Sequence, residues 1–585
     1  MGKTYIGIDV GGTWLKGVAF ELKKGVPISE VPGLLMEQPV VRVKSRLGHE
    51  STISEFIEAL RELLDILVSD DQSVGGIGIS SAGVVDYAGK KLLIAASHIQ
   101  ALTDNRWIEC LEARFRVPVT LINDADAASI GAAASGYLSG FNTIGVMPIG
   151  TGLGFTVWRN GRKWTPNFAI PLFGCTYTPS GYYDEIASVA TLADLDPGKN
   201  LSAIFIQEQF QTARDQYIKN LAGIIATSAL IYGTNKILIG GGLAEAVTAV
   251  SFPLAVLLKQ ALIKANLLTT AEVEIDVMPE GNLLPLVGAV LLAIGEEKGQ
   301  ATRVKKAYNQ FNTEIPLHKT IRLEQLSTAD LVRLLWNSEQ ASGENLNKSL
   351  GSITDVADQI ILRLKEGGRL IYVGAGTSGR LASIDTVEIA CTFGFPRDRV
   401  LTFISGGVAD ASIDIETNFE EDASSVPEML LANVTSKDIV IGISVSGSAY
   451  YVQSALGFAK FVGTYTVMIQ EQAIESLPFC DQVISLQSGN EVLAGSTRMK
   501  AGTATKKVLN FLSTTAMIRL GKVHGCYMTE VECINEKLIK RAQHILGTLY
   551  GLDEYAAYEE LRENNFVLSE TIEKLIQRSK LKERD

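Results

Sequence analysis

The chain has 585 residues, 46% of them apolar and 20% charged, and a net charge of -12. At roughly 150 residues per domain this length implies more than one core. The acidic balance excludes nucleic acid and anionic membranes as general partners, so any phosphate is captured by a local site. Six scattered cysteines without a C-x-x-C pair read as free thiols of a reducing compartment. The first residues run straight into a strand and no apolar run reaches membrane-spanning length, so a cytoplasmic location is expected.

In chain order, residues 5–10 alternate as a strand, Asp9, Gly11, Gly12 and Thr13 make a tight turn, and 15–21 read as the returning strand. The tip suits a phosphate, or is an ordinary turn with no ligand. Residues 76–80 form a strand ending in small residues, and 119–122 form one ending in Asn123-Asp124-Ala125-Asp126 before an alanine-rich helix. A second hairpin joins 143–149 to 155–159 through a tip at Gly150, Thr151, Gly152, Leu153 and Gly154. Strand 237–239 leads into Gly240, Gly241 and Gly242.

Two phosphate-tip hairpins, an acidic strand end between them and a triple glycine after them resemble the sugar kinases of the ROK family over residues 4–297. The resemblance implies an actin-like (RNase H-like, two-lobed) α/β domain over 1–297. It implies that Gly11, Gly12, Thr13, Gly150, Thr151 and Gly152 hold the phosphates of ATP, and that Gly240, Gly241 and Gly242 face its adenosine. Asp9 then lies near Mg2+ and the phosphates, and Asp124 is the general base, with Asp126 its structural rival. The chemistry requires such a base, because a sugar hydroxyl is a poor nucleophile and must lose its proton as the phosphoryl group transfers. The sequence departs from the family after Cys175. Tyr177 and Tyr182 stand where zinc-binding cysteines would, and no His or Glu occurs between Phe155 and Asp184. Zinc is expected to be absent, and the identity of the sugar stays open.

Residues 298–322 are charged and irregular and read as a linker. In 367–388, the apolar strand 370–373 is followed by Gly374, Gly376, Thr377, Ser378 and Gly379 and then by a helix. Strand, glycine loop and helix N-terminus in this order make an anion site, through backbone N–H groups and the positive end of the helix dipole. A second strand at 438–443 runs into Ser444, Ser446, Gly447 and Ser448. Residues 490–507, NEVLAGSTRMKAGTATKK, are polar and glycine-punctuated and precede a helix.

GAGTSGRL, Glu388, GSTRMKAGTA, NEKL at 535–538 and LSTADL at 326–331 fall in the order that resembles the N-acetylmuramic acid 6-phosphate etherases of the sugar isomerase (SIS) fold. The resemblance implies a three-layer α/β domain over 323–551, here followed by a helical tail at 552–585. By position Glu388 is the family's catalytic acid and Glu416 its second carboxylate, with Glu420 or Glu421 as alternatives because IETNFEED carries an insertion. Gly376, Thr377, Ser378, Ser444, Ser446 and Gly447 are the candidates for binding the sugar phosphate, and Ser496, Arg498 and Lys500 for lining the site. The etherase part needs no cofactor. Burial beside an apolar wall is expected to raise the pKa of Glu388, and a homodimer through the SIS domain is expected from the resemblance. Kinase and etherase in one chain imply sugar phosphorylation followed by ether cleavage; the alternative is a kinase carrying a SIS module as a sugar-phosphate sensor.

Overall fold

The computed structural model describes residues 2–582 apart from 49, 70–71, 87–89, 96, 139–142, 160–161, 165–169, 179, 194, 196–199, 266–272, 301–314, 318–320, 406–424, 475, 531–532 and 534. The chain divides into two compact units, Met1–Thr302 with Asp422–Val434, and Arg303–Glu421 with Thr435–Asp585.

In the first unit Lys3–Val10 (β1), Trp14–Leu22 (β2), Val41–Lys44 (β3), Val74–Ser81 (β4) and Val119–Asn123 (β5) form a sheet in the order β3-β2-β1-β4-β5. Strand β2 runs antiparallel to both β1 and β3, whereas β4 pairs parallel with both β1 and β5. A second sheet repeats the pattern with Thr143–Pro148 (β6), Thr156–Arg159 (β7), Arg162–Trp164 (β8), Lys236–Gly240 (β9) and Glu274–Val277 (β10), ordered β8-β7-β6-β9-β10. This repeated hairpin-plus-parallel sheet is the actin-like arrangement, and both expected hairpins are present, β1 with β2 and β6 with β7. Seven of the eight residues of β1 are buried, as befits a central strand covered on both faces.

Three helices carry the rest of the argument here: Asp124–Ala134 (α1), Gly241–Ala249 (α2) and Leu284–Gln300 (α3). Helix α3 lies against β4 and α1 at backbone-contact distance. A Cβ on Gly78 would stand 1.8 Å from the Ala289 carbonyl oxygen, and one on Gly288 would stand 2.0 Å from that of Ala127. Glycine is therefore required at both positions. The short helix Val426–Leu431, far along the chain, also belongs to this unit, with Val426 and Met429 fully buried.

The second unit opens with Thr328–Leu346 (α4) and Leu350–Lys365 (α5), the Ser327 side chain capping α4 by accepting the Asp330 N–H. Leu370–Gly374 (β11), Val400–Ile404 (β12), Ile439–Ile443 (β13), Tyr465–Gln470 (β14) and Gln482–Ser485 (β15) form an all-parallel sheet ordered β12-β11-β13-β14-β15. Helices Gly376–Phe393 (α6), Tyr450–Val462 (α7) and Lys500–Arg519 (α8) belong to the same unit. Strand order reverses at β11, which makes the carboxyl ends of β11 and β13 the switch point where ligands bind in open parallel sheets. The closing helix is Glu536–Tyr550 (α9), capped by the Asn535 side chain, which accepts the Leu538 N–H. The tail is two helices, Glu554–Glu563 (α10) and Leu568–Lys582 (α11), separated by the left-handed residues Asn565 and Phe566. Its Ala557, Leu561, Leu568 and Ile572 pack with Ala542, Ile545 and Leu546 of α9. Among the described residues no single helix is long and apolar enough to cross a membrane.

Gly78→Ala should destabilise the first unit by about 1–3 kcal/mol, because its methyl group meets the backbone of α3 rather than a side chain that can turn away. Chemical denaturation of wild type and variant measures this.

Candidate active sites

Parallel register lines up the polar strand ends of the first unit. Asp9 is level with Ser80 across β1 and β4, and Ser81 is level with Asn123 across β4 and β5. Asp9 Oδ1 accepts a hydrogen bond from the Ser80 hydroxyl at 3.0 Å, and Oδ2 lies 3.4 Å from Lys16 Nζ. Lys16 also donates to Asn282 Oδ1 at 2.5 Å, and Asn282 Nδ2 donates to Glu245 Oε2 at 2.5 Å. A polar chain thus runs from the first hairpin to α2, the helix behind the triple glycine. The tip of that hairpin is closed by a Gly11 N–H to Trp14 carbonyl bond and fixed by Ser45, whose hydroxyl donates to the Gly12 carbonyl. Thr13 is exposed at its end.

Asn123 caps α1, its side-chain oxygen accepting the N–H groups of Ala125 and Asp126 while its amide donates to the Gly83 carbonyl. This sets Asp124 on the first turn, partly exposed, and turns Asp126 into the interior. Burial, followed by the negative charge of Asp9, pushes the Asp124 carboxyl up to about 7. A carboxyl titrating there exchanges its proton near neutral pH, which suits a general base.

The second tip and the triple glycine are drawn together. Ile149 donates to the Gly240 carbonyl and accepts the Leu243 N–H, and Gly241 has φ +75°, with room for no Cβ beside the Ile149 oxygen. Asp184 braces this tip by accepting the Leu153 N–H at 2.6 Å. Gly150 has open space where a Cβ would be, and a backbone cradle of this kind fits nucleotide phosphates. Asp9 would supply a carboxylate to Mg2+, which takes one or two from protein when phosphates and waters provide the remaining ligands. Tyr177 and Tyr182 pair edge-on at 5.2 Å across a two-residue ladder.

In the second unit, pairing of β11 with β13 sets Gly374 level with Ile443, so the Gly376–Ser378 loop and the Ser444–Gly447 turn emerge side by side. Gly376 is left-handed (φ +51°) and opens α6, leaving Thr377 and Ser378 partly exposed on its first turn. Ser446 and Ser448 hydroxyls are 2.7 Å apart, and Ser444 accepts the Ala449 N–H. Glu471 donates its N–H to the Val445 carbonyl and lies beside buried Lys500, whose pKa is lowered by burial. Glu491 holds the N-terminus of α8 by accepting the N–H groups of Lys500 and Ala501. Lys500 thus lies near the Ser444–Gly447 turn, Ser496 is partly exposed, and Arg498 is exposed. Glu416, Glu420 and Glu421 lie outside the described residues.

Glu388 differs from expectation. Its side chain is 60% exposed rather than buried beside an apolar wall, and it pairs with Lys506 at 3.1 Å. At about 1.5 Å per residue, the twelve helical positions from Gly376 place it about 18 Å down α6 from the phosphate loop of its own chain. On the same two helices Ile384, Val387, Phe511 and Ile518 are exposed. Sequence reasoning passed over Ser80, Lys16, Asn282, Asp184, Asp385 and Lys506. For Asp385 the signal was a charge three residues before Glu388, at a helix position that faces the core.

The ROK family model matches residues 5–170, and the glucokinase regulatory protein N-terminal SIS domain matches 352–460. An N-acetylmuramic acid 6-phosphate etherase of Geobacillus thermodenitrificans is 39% identical over 242 residues, covering 41% of this chain and 82% of that protein. One of Petrotoga mobilis is 40% identical over 250 residues, 43% of this chain and 84% of that protein. A ROK family glucokinase from Streptomyces griseus, solved with glucose and AMPPNP, is similar over 50% of this chain and 99% of that one at 19% identity, with a TM-score of 0.38, a likeness too distant to argue from.

The raised Asp124 carboxyl sets a stability trend. Its folded pKa of about 7 exceeds the unfolded value of about 3.9, so its contribution is full below about 4 and is lost as pH rises towards 7. Asp124→Asn removes that loss, so the stability of the variant relative to wild type should rise between pH 4 and 7 in urea denaturation and then level off.

With a ROK domain ahead of it and glycine- and serine-rich loops at the switch point of its own parallel sheet, the second half of the chain places the protein in the N-acetylmuramic acid 6-phosphate etherase family.

Proposed function

We propose that the chain is a bifunctional amino-sugar recycling enzyme. Its first unit phosphorylates the 6-hydroxyl of N-acetylmuramic acid or a related hexosamine with ATP. Its second cleaves the lactyl ether of N-acetylmuramic acid 6-phosphate to N-acetylglucosamine 6-phosphate and D-lactate. The observation that carries this reading is the fusion: a ROK-family domain and an etherase in one chain, where the product of the first is the substrate of the second.

In the first unit Asp124 takes the proton of the sugar hydroxyl, and the two glycine-rich tips, Gly11 to Thr13 and Gly150 to Gly152, hold the nucleotide phosphates, with Gly240 to Gly242 beside the adenosine. Mg2+, when bound, neutralises charge on the phosphates next to Asp9. In the second unit Gly376 to Ser378, Ser444, Ser446 and Gly447 hold the sugar phosphate. The aldehyde of the opened sugar makes the carbon 2 proton removable. A carboxylate takes that proton, the bond from carbon 3 to the ether oxygen breaks with its electron pair on oxygen, Glu388 protonates the leaving lactate, and water adds at carbon 3. Glu416, Glu420 and Glu421 are the candidates for the other carboxylate.

One sugar ring cannot bridge about 18 Å between the phosphate loop and Glu388 of the same chain. A homodimer, in which Glu388 of one copy meets the phosphate loop of the other, resolves this and covers the exposed apolar residues of α6 and α8.

Mass spectrometry of N-acetylmuramic acid incubated with the protein, ATP and Mg2+ should show N-acetylglucosamine 6-phosphate. Asp124→Asn should abolish phosphorylation while leaving cleavage of supplied N-acetylmuramic acid 6-phosphate unchanged, and equal loss of both in a folded variant would refute separate sites. Glu388→Gln should lower lactate release by about 10²- to 10⁴-fold, and Ser378→Asp should block phosphate binding. Mixing these two variants should restore roughly a quarter of wild-type activity, because half the random dimers hold one intact site. A fully active monomer by light scattering would exclude the dimer.

A further inference from the structure

Lys506 projects from α8 between two carboxylates of α6, 3.1 Å from Glu388 Oε2 and 3.7 Å from Asp385 Oδ1. The two differ in setting. Asp385 is buried, and it is held in place by the Tyr372 hydroxyl donating to Oδ2 at 3.0 Å and the Ser513 hydroxyl donating to Oδ1 at 3.1 Å. Glu388 is exposed and, among the described residues, accepts a hydrogen bond from Lys506 alone. The ammonium is therefore anchored from behind by a fixed charge, while its front partner is free to exchange. An exposed lysine–glutamate pair contributes little stability by itself, so a buried carboxylate behind it is more than such a pair requires.

We propose that Lys506 is the contact for the lactyl carboxylate of the substrate, and so the residue by which the site selects a lactyl ether over other 3-O-alkyl ethers. The proposal rests on the etherase reading and on Glu388 as the proton donor. In a lactyl ether the ether oxygen and the carboxylate are bonded to the same carbon. A donor within hydrogen-bond reach of that oxygen has the carboxylate immediately beside it, and the cation 3.1 Å from Glu388 falls in that place.

The exchange also resolves how a glutamate paired with lysine can act as an acid. When the substrate carboxylate takes the front of Lys506, it replaces Glu388 as the partner of the ammonium and frees Glu388 to face the ether oxygen. The bond from carbon 3 to oxygen then breaks with its electron pair on oxygen, the Glu388 proton passes to that oxygen, and lactate leaves as the free hydroxy acid. Glu388 becomes a carboxylate again, and Lys506 regains its partner as lactate departs. Asp385 is the positioning residue that keeps the ammonium in place throughout.

The test compares full-length wild type, Lys506→Met and Lys506→Arg on two N-acetylglucosamine 6-phosphate ethers, 3-O-lactyl and 3-O-ethyl, by release of lactate or ethanol. Where turnover of the ethyl ether is slow, its binding as a competitive inhibitor gives the same comparison. Lys506→Met should lower kcat/KM for the lactyl ether by about 10- to 100-fold, mainly through KM. The ethyl ether should be affected far less, and Lys506→Arg should retain most of the preference. An unchanged thermal midpoint for Lys506→Met separates this from unfolding. Equal losses on both ethers, or no change on the lactyl ether, would overturn the proposal. Absence of lactate release from wild type would instead overturn the etherase reading itself.

Discussion

Parallel strand pairing is the constraint on which both halves of this protein depend. Parallel register brings the carboxyl ends of neighbouring strands to one edge, where backbone N–H groups and helix N-termini are left without partners inside the sheet. In the first unit it lines up Asp9, Ser80, Ser81 and Asn123 from three strands far apart in sequence. In the second it sets the loop after Gly374 beside the turn after Ile443. Each edge can hold an anion, and neither depends on an overall positive charge. A chain of net charge -12 can therefore bind phosphorylated ligands through local donors.

Glycine acts in two physical roles along this edge. At Gly376 and Gly241 it permits left-handed backbone, which turns the chain from strand into helix with its N–H groups outward. At Gly78 and Gly288 it permits backbone contact between α3, β4 and α1. The second role fixes the position of Asp124, because α1 begins at that residue and is held along its length. The pKa of Asp124 follows from this placement, since burial and the charge of Asp9 act in the same direction.

The etherase half uses charge differently. Asp385 is buried and bonded by two hydroxyls, while Glu388, one helical turn along, faces outward with Lys506 between them. A charge buried with its hydrogen bonds satisfied is a rigid reference point, whereas an exposed pair can rearrange when a ligand arrives.

The sequence by itself determined the local features. Both hairpins, the glycine loops and the strand ends were legible, because turn chemistry and alternation act over a few residues. Asp124 lies at the start of the helix after its strand and Glu388 on the helix after the glycine loop, as the order of residues in the chain implied. Tertiary structure alone decided which distant residues meet: Lys16 with Asp9 and Asn282, Asp184 with the second tip, and Lys506 with Asp385 and Glu388. It also decided that the Val426–Leu431 helix belongs to the first unit and that Glu388 is exposed rather than buried. Burial and ion pairing are properties of neighbours brought in from elsewhere in the chain, and no local pattern of residues encodes who those neighbours are.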